Sequence, residues 1–145
     1  MPNKVGTQIK SNRHREPIIV DGEEMIVAEW NPEDPRFARW CEQLMSVYEG
    51  MAKLKGLDLP DNWTAEIEGA SEERATEIIG GVKKAYSDIA DVVDDMEVVL
   101  DNICGEGVAD VLFSYGTPEN VRELIGKILG DHAKERKKST AKYRA

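Results

Sequence analysis

The chain has 145 residues, of which 41% are hydrophobic and 32% charged, and its net charge is −9. That length suits one domain with a single buried core, and no apolar run approaches the ~20 residues of a membrane-spanning helix. Both ends are basic, so the body between them is more acidic than the whole, which opposes long-range attraction to nucleic acid and anionic membranes.

Residues 1–16 hold Lys4, Lys10, Arg13 and Arg15 against Glu16 alone and show no hydrophobic period. This stretch reads as a disordered basic arm. It lacks the apolar middle of a secretory signal, so a cytoplasmic protein is expected. Residues 17–131 read as one folded domain.

Pro17 to Trp30 contains two β-prone runs around Asp21-Gly22. That dipeptide is a strong hairpin signal because both central positions of the turn take positive φ. A lone hairpin is marginal in water, so Ile18, Val20, Met25, Val27 and Trp30 are predicted to rest on helices. Asp34 then caps a first helix whose opening position suits Pro35, where a missing N–H costs nothing. Phe37, Trp40, Cys41, Leu44, Val47, Tyr48, Met51 and Leu54 follow in steps of three and four, one buried stripe. Gly56 and Pro60 end that helix, and Leu57 to Ala70 reads as a loop with a short turn at Trp63 to Ile67.

The second long helix is the clearest element. Ser71 caps it, and Glu72 and Glu73 sit where the helix dipole favours negative charge. Ala75, Ile78, Val82, Ala85, Ile89, Val92, Met96, Val99 and Ile103 keep the helical period, while Ile79, Tyr86, Val93 and Leu100 add a second line seven apart. A seam that wide suits packing on several neighbours. Glu77, Lys84, Asp88, Asp91, Asp94, Asp95 and Asp101 form the opposite, wet side. Gly80-Gly81 weakens the helix and is the expected place for a kink. Gly105-Glu106-Gly107 stops it. A short helix over Val108 to Phe113 follows, then Thr117-Pro118-Glu119 opens a last helix that buries Val121, Leu124, Ile125, Ile128 and Leu129. Residues 132–145 read as a basic C-terminal tail. The predicted fold is α+β and mostly helical, an N-terminal β-hairpin packed on a bundle of three to four helices.

Little here points to chemistry. His14 and His132 lie in or beside the basic ends, away from any prearranged cleft. Cys41 and Cys104 sit among apolar residues as buried thiols, without a pattern for nucleophile activation or zinc. Asp91, Asp94 and Asp95 share one solvated helix face, which does not supply the convergent oxygens of a cation site. No catalytic residue, metal or cofactor is predicted. Lys134, Arg136, Lys137, Lys138, Lys142 and Arg144, with Tyr143, are the residues a nucleic-acid role would rest on, but the body offers no recognition element. The positive signal is surface. The shorter neighbouring helices do not hide all of the second long helix, and uncovered apolar area marks a site for a partner or a second copy. Tyr86, Val93 and Leu100, at the edge of the seam, are the predicted partner-binding residues.

The order of elements carries a resemblance. A hairpin from Ile18 to Glu29 leads through an Asn/Asp-Pro stretch into a helix. A long helix runs into Asp101-Asn102-Ile103-Cys104-Gly105-Glu106-Gly107-Val108-Ala109-Asp110-Val111-Leu112-Phe113, and the chain closes on a Lys/Arg tail with Lys142-Tyr143-Arg144. From about Pro17 onward this resembles the small tail assembly chaperones of long-tailed bacteriophages and prophages. The resemblance implies binding to the tape-measure protein, protection of that long helical client from aggregation, and recruitment of the major tail protein. It departs from the family's usual Ser-Pro-Asn-Arg type ending and in the loop around Trp63. Two other classes remain open on the sequence: a structural or adaptor component of a phage or prophage particle, and a small regulatory protein whose basic tails touch nucleic acid.

Overall fold

The computed structural model describes residues 6–9, 12–54 and 62–143. The fold is α+β and mostly helical: a two-stranded antiparallel hairpin followed by five helices. The strands are β1 (His14–Val20) and β2 (Glu23–Trp30), and the helices are α1 (Phe37–Leu54), α2 (Trp63–Glu68), α3 (Glu72–Cys104), α4 (Val108–Tyr115) and α5 (Pro118–Tyr143). Three helices are long and two are short, so the bundle has one more helix than the upper sequence-based count. Among the described residues, no helix is long and apolar enough to cross a membrane.

The hairpin turns as its sequence requires. Asp21 and Gly22 have φ of 51° and 84°, the left-handed pair that matches the twist of the flanking strands. The pairing joins His14 to Trp30, Glu16 to Ala28 and Ile18 to Ile26, then shifts between Ile18 and Ile19 so that Ile19 meets Glu24. Met25 is therefore the extra residue of a β-bulge. This corrects two predicted inner residues of β2, Met25 and Val27, in favour of Ile26 and Ala28, while Trp30 faces inward as predicted. Ala28 and Trp30 are buried and Ile26 packs on the core, whereas Met25 is 45% exposed. Met25-Ile26-Val27-Ala28 is an unbroken apolar run, so alternation alone does not say which face turns inward.

Asp34 closes the turn ahead of α1 and does not cap the helix itself: its carboxylate accepts from the Arg36 backbone N–H at 2.8 Å and from the Arg36 guanidinium. The guanidinium holds the Asp34 carboxyl below its ordinary range. Regular helix begins two residues past Pro35, at Phe37. Gly56 and Pro60, the predicted stop, lie outside the described residues, as do Leu57 to Asp61 of the predicted loop. In α3, the Ser71 hydroxyl accepts from the Arg74 N–H at 3.2 Å, and the helix runs unbroken through Gly80 and Gly81 for 33 residues, about 50 Å. It ends at Gly105 and Gly107, whose φ of 110° and 91° exclude an ordinary side chain at low cost. The Asp101 carboxylate reaches over that turn to accept from the Ala109 N–H at 3.1 Å. Thr117 and Asn120 cap α5 reciprocally, each side-chain oxygen accepting the other's backbone N–H.

Two boundaries move outward. The arm predicted over residues 1–16 gives up His14, Arg15 and Glu16 to β1, and the tail predicted from His132 continues as helix to Tyr143. The strand extension is tied to α5 by one joint. His14 Nδ1 lies 3.0 Å from an Asp131 oxygen and His14 Nε2 lies 3.0 Å from a Glu16 oxygen. The Trp30 indole N–H donates to Asp131 at 2.9 Å, and the His14 and Trp30 rings stack with centroids 4.3 Å apart. Lys127 bonds to Glu16. Sequence patterns weigh each segment separately and do not show a contact across 117 positions such as this one.

The core joins the hairpin to the C-terminal half of α3. Trp30, Phe37, Leu44, Met96, Leu100, Val108 and Ile128 are its largest enclosed members, with Cys41 and Cys104 among them. Burial raises the Cys104 thiol, with the nearby Asp101 and then Cys41 adding to it, so Cys41 of α1 lies close to Cys104 of α3, and Gly50 lies against Val92. Helices α1 and α3 therefore run antiparallel, with Leu54, the last described residue of α1, beside the middle of α3.

Candidate partner-binding groove

Where α1, α3, α4 and α5 meet, the surface opens into an apolar groove of about 290 Å³. Tyr48, Met51 and Ala52 come from α1, Val93 from α3, Leu112 and Phe113 from α4, and Pro118, Val121 and Ile125 from α5; among the described residues, Arg122 is the one charged residue lining it. Each wall follows from helical periodicity. Met51 and Tyr48 are three apart at the end of the α1 stripe, and Val121 and Ile125 are four apart on the inner face of α5. The groove exists because α4 has only eight residues, too short to fill the space that the longer helices bracket. Gly116 turns the chain tightly there: a Cβ at that position would come within 2.5 Å of the Leu112 carbonyl oxygen.

The three predicted partner-binding residues fall in three different environments. Val93 is half-buried and lines the groove. Tyr86, two turns earlier on the same line of α3, is 56% exposed, and Ile79, two further turns back, is 43% exposed. Leu100 is fully enclosed. It is corrected to a core residue, because α4 and β2 pack on the C-terminal half of α3 and cover the edge of the seam there. Ile89, placed at the centre of the seam by periodicity, is 42% exposed and was missed as a surface residue. Periodicity carries no signal for it, because Ile89 lies on the same apolar stripe as the buried Val82 and Ala85. Val82 and Ala85 remain buried beside these residues, and α2 also lies on α3.

The titratable groups do not converge on this groove. Among the described residues no three of His, Cys, Asp and Glu cluster as metal ligands. Burial pushes both thiols up to about 12, which keeps them protonated and poor nucleophiles at neutral pH. Asp91, Asp94 and Asp95 are exposed, as read from the sequence. The cleft beside His14 is lined, among the described residues, by Asn12, Arg13, Pro32, Asp131, Lys134, Glu135 and Lys138. His14 is thus better placed than sequence suggested, between two carboxylates, and what it visibly does is fasten β1 to α5. Comparison with protein families, with characterised proteins and with solved structures finds no match to this chain.

Proposed function

We propose that the protein is an assembly chaperone of the phage-tail type, which acts by binding and performs no catalysis. It holds an amphipathic helix of the tape-measure protein along α3 and in the groove, keeps that helix from aggregating, and helps gather major tail subunits around it. The observation carrying this reading is one line of side chains, Ile79–Tyr86–Val93, exposed at its start and leading into the apolar groove at its end. Its seven-residue spacing is the spacing at which a second helix presents apolar side chains. From Ile79 to Val93 the line is about 21 Å long, enough to seat roughly four turns of a client. The opposite face of α3 exposes Asp91, Asp94 and Asp95, and that charge keeps a complex with a greasy client dispersed.

The test is co-expression with the tape-measure protein. The client should stay in the soluble fraction and co-purify with this chain, and Tyr86→Asp and Val93→Asp should each send it to the pellet while circular dichroism shows the variant still helical. Mature particles, by mass spectrometry, should lack this chain. Folded variants that carry the client as well as the wild type would overturn the proposal, as would a client that is equally soluble alone.

A further inference from the structure

A second cavity, about 350 Å³, lies between β1, α4 and α5 and shares only Leu112 and Gly116 with the helix groove. It is lined by six consecutive residues of the hairpin, Glu16 to Asp21. Successive side chains of a strand point to opposite faces, so a cavity that meets all six meets the strand's edge. β1 has β2 as its only sheet neighbour among the described residues. Among the described residues, no backbone group from Glu16 to Val20 bonds to anything but β2. The outward N–H and C=O groups of this edge face the cavity, the arrangement that accepts an added strand. Alternate residues of an antiparallel strand bond inward, and Val20 pairs with Glu23 across the turn, so the outward groups are the Ile19 N–H and C=O and the Pro17 C=O. Pro17 has no N–H to offer, which blunts the edge against uncontrolled sheet growth.

The walls specify the occupant. Ile19 and Tyr115, on opposite sides, are 63% and 60% exposed and offer apolar contact. Among the described residues, the charged members of the lining are Glu16, Asp21, Glu123 and Lys127, and Lys127 is already bonded to Glu16. The surplus is negative. We infer that this edge groove binds a short extended segment of another protein, with apolar and basic residues in alternation, paired as a third strand on β1. This site is independent of the helix groove and holds whether or not the client there is a tape-measure helix.

The probe is a fluorescein-labelled six-residue peptide of alternating lysine and valine, titrated by anisotropy against the full chain. Three controls are expected to weaken binding at least tenfold: the same peptide N-methylated at every second residue, which removes its donors; a glutamate–valine peptide; and the Glu123→Lys variant, whose exposed position leaves folding intact by circular dichroism. Unchanged binding of the N-methylated peptide would mean charge alone attracts it and would overturn the strand pairing. Equal binding of the acidic peptide, no effect of Glu123→Lys, or no binding at all would overturn the proposal as a whole. Sedimentation showing a dimer that Glu123→Lys abolishes and the peptide fails to displace would put a second copy in the groove instead, which also contradicts it.

Discussion

The two halves of α3 have the same hydrophobic pattern and different fates. From Met96 to Cys104 the seam is sealed: Met96, Val99, Leu100, Ile103 and Cys104 are all buried under α1, α4 and β2. From Ala75 to Ile89 it is half open, with Val82 and Ala85 buried but Ile79, Tyr86 and Ile89 each more than 40% exposed. Periodicity tells which side of a helix is apolar, whereas the lengths of neighbouring elements decide how much of that side is covered. The covered half holds the fold together, and the open half is available to something else.

The sharpest contrast should come from truncating one residue of the same line in each half. Leu100→Ala leaves a cavity in the core and should cost about 3 kcal/mol, read from the shift of the urea midpoint at unchanged slope. Tyr86→Ala should stay within about 0.5 kcal/mol. Equal costs would erase the distinction between the halves.

A smaller effect is expected at the joint between the hairpin and α5. Trp30→Phe removes the N–H that Asp131 accepts and trims the ring stacked on His14. A loss of about 1–2 kcal/mol is expected, since the Asp131 carboxylate loses a partner at a half-buried site. A neutral result would mean the joint adds nothing to the fold.

Thiol chemistry sharpens the comparison without a change of sequence. Cys41 and Cys104 both sit in the sealed region with thiols pushed up to about 12. Iodoacetamide at pH 8 should therefore leave both unmodified in the native protein under conditions that alkylate both in denaturant, as mass spectrometry would show. Rapid native labelling of Cys104 would show that the sealed half opens.

The smallest expected effect is pH-dependent. Bonds from Lys127, and then from His14, hold the Glu16 carboxyl below its ordinary 4.5, and the bond to Glu16 holds Lys127 above its ordinary 10.5. The Glu16 contribution is present above about 4.5 and is lost as pH falls through the lowered value. The Lys127 contribution is present below about 10.5 and is lost as pH rises through the raised one. Lys127 is half exposed, so solvent screens the pair and Lys127→Met should cost under about 1 kcal/mol at pH 7. The difference between Lys127→Met and the parent should vanish in acid. A difference that persists at pH 2 would mean the loss comes from packing of the lysine stem.

Much of this architecture was legible from sequence because it rests on local rules. The Asp21-Gly22 turn, the Ser71 and Thr117 caps and the Gly105–Gly107 stop each follow from backbone needs that few residues meet. What escaped was long-range. The inner face of β2 depends on a bulge at Met25, and the enclosure of Leu100 depends on where α4 and β2 come to rest. The strand at His14 depends on its contact with Asp131, 117 positions away. Of the groove, Val93 was found because an edge position could be read, while Met51, Phe113 and Ile125 looked like ordinary core because their faces carry the same apolar period as buried ones.

The central claim is that the line through Ile79, Tyr86 and Val93 is open to water in the free protein and closed by a client helix. Tyr86→Cys in a Cys41→Ala, Cys104→Ala background, labelled with maleimide with and without the tape-measure protein, tests it directly. Fast labelling alone, slowed at least tenfold on client binding, is the expected result. Slow labelling of the free protein, or a rate the bound client leaves unchanged, would contradict the account.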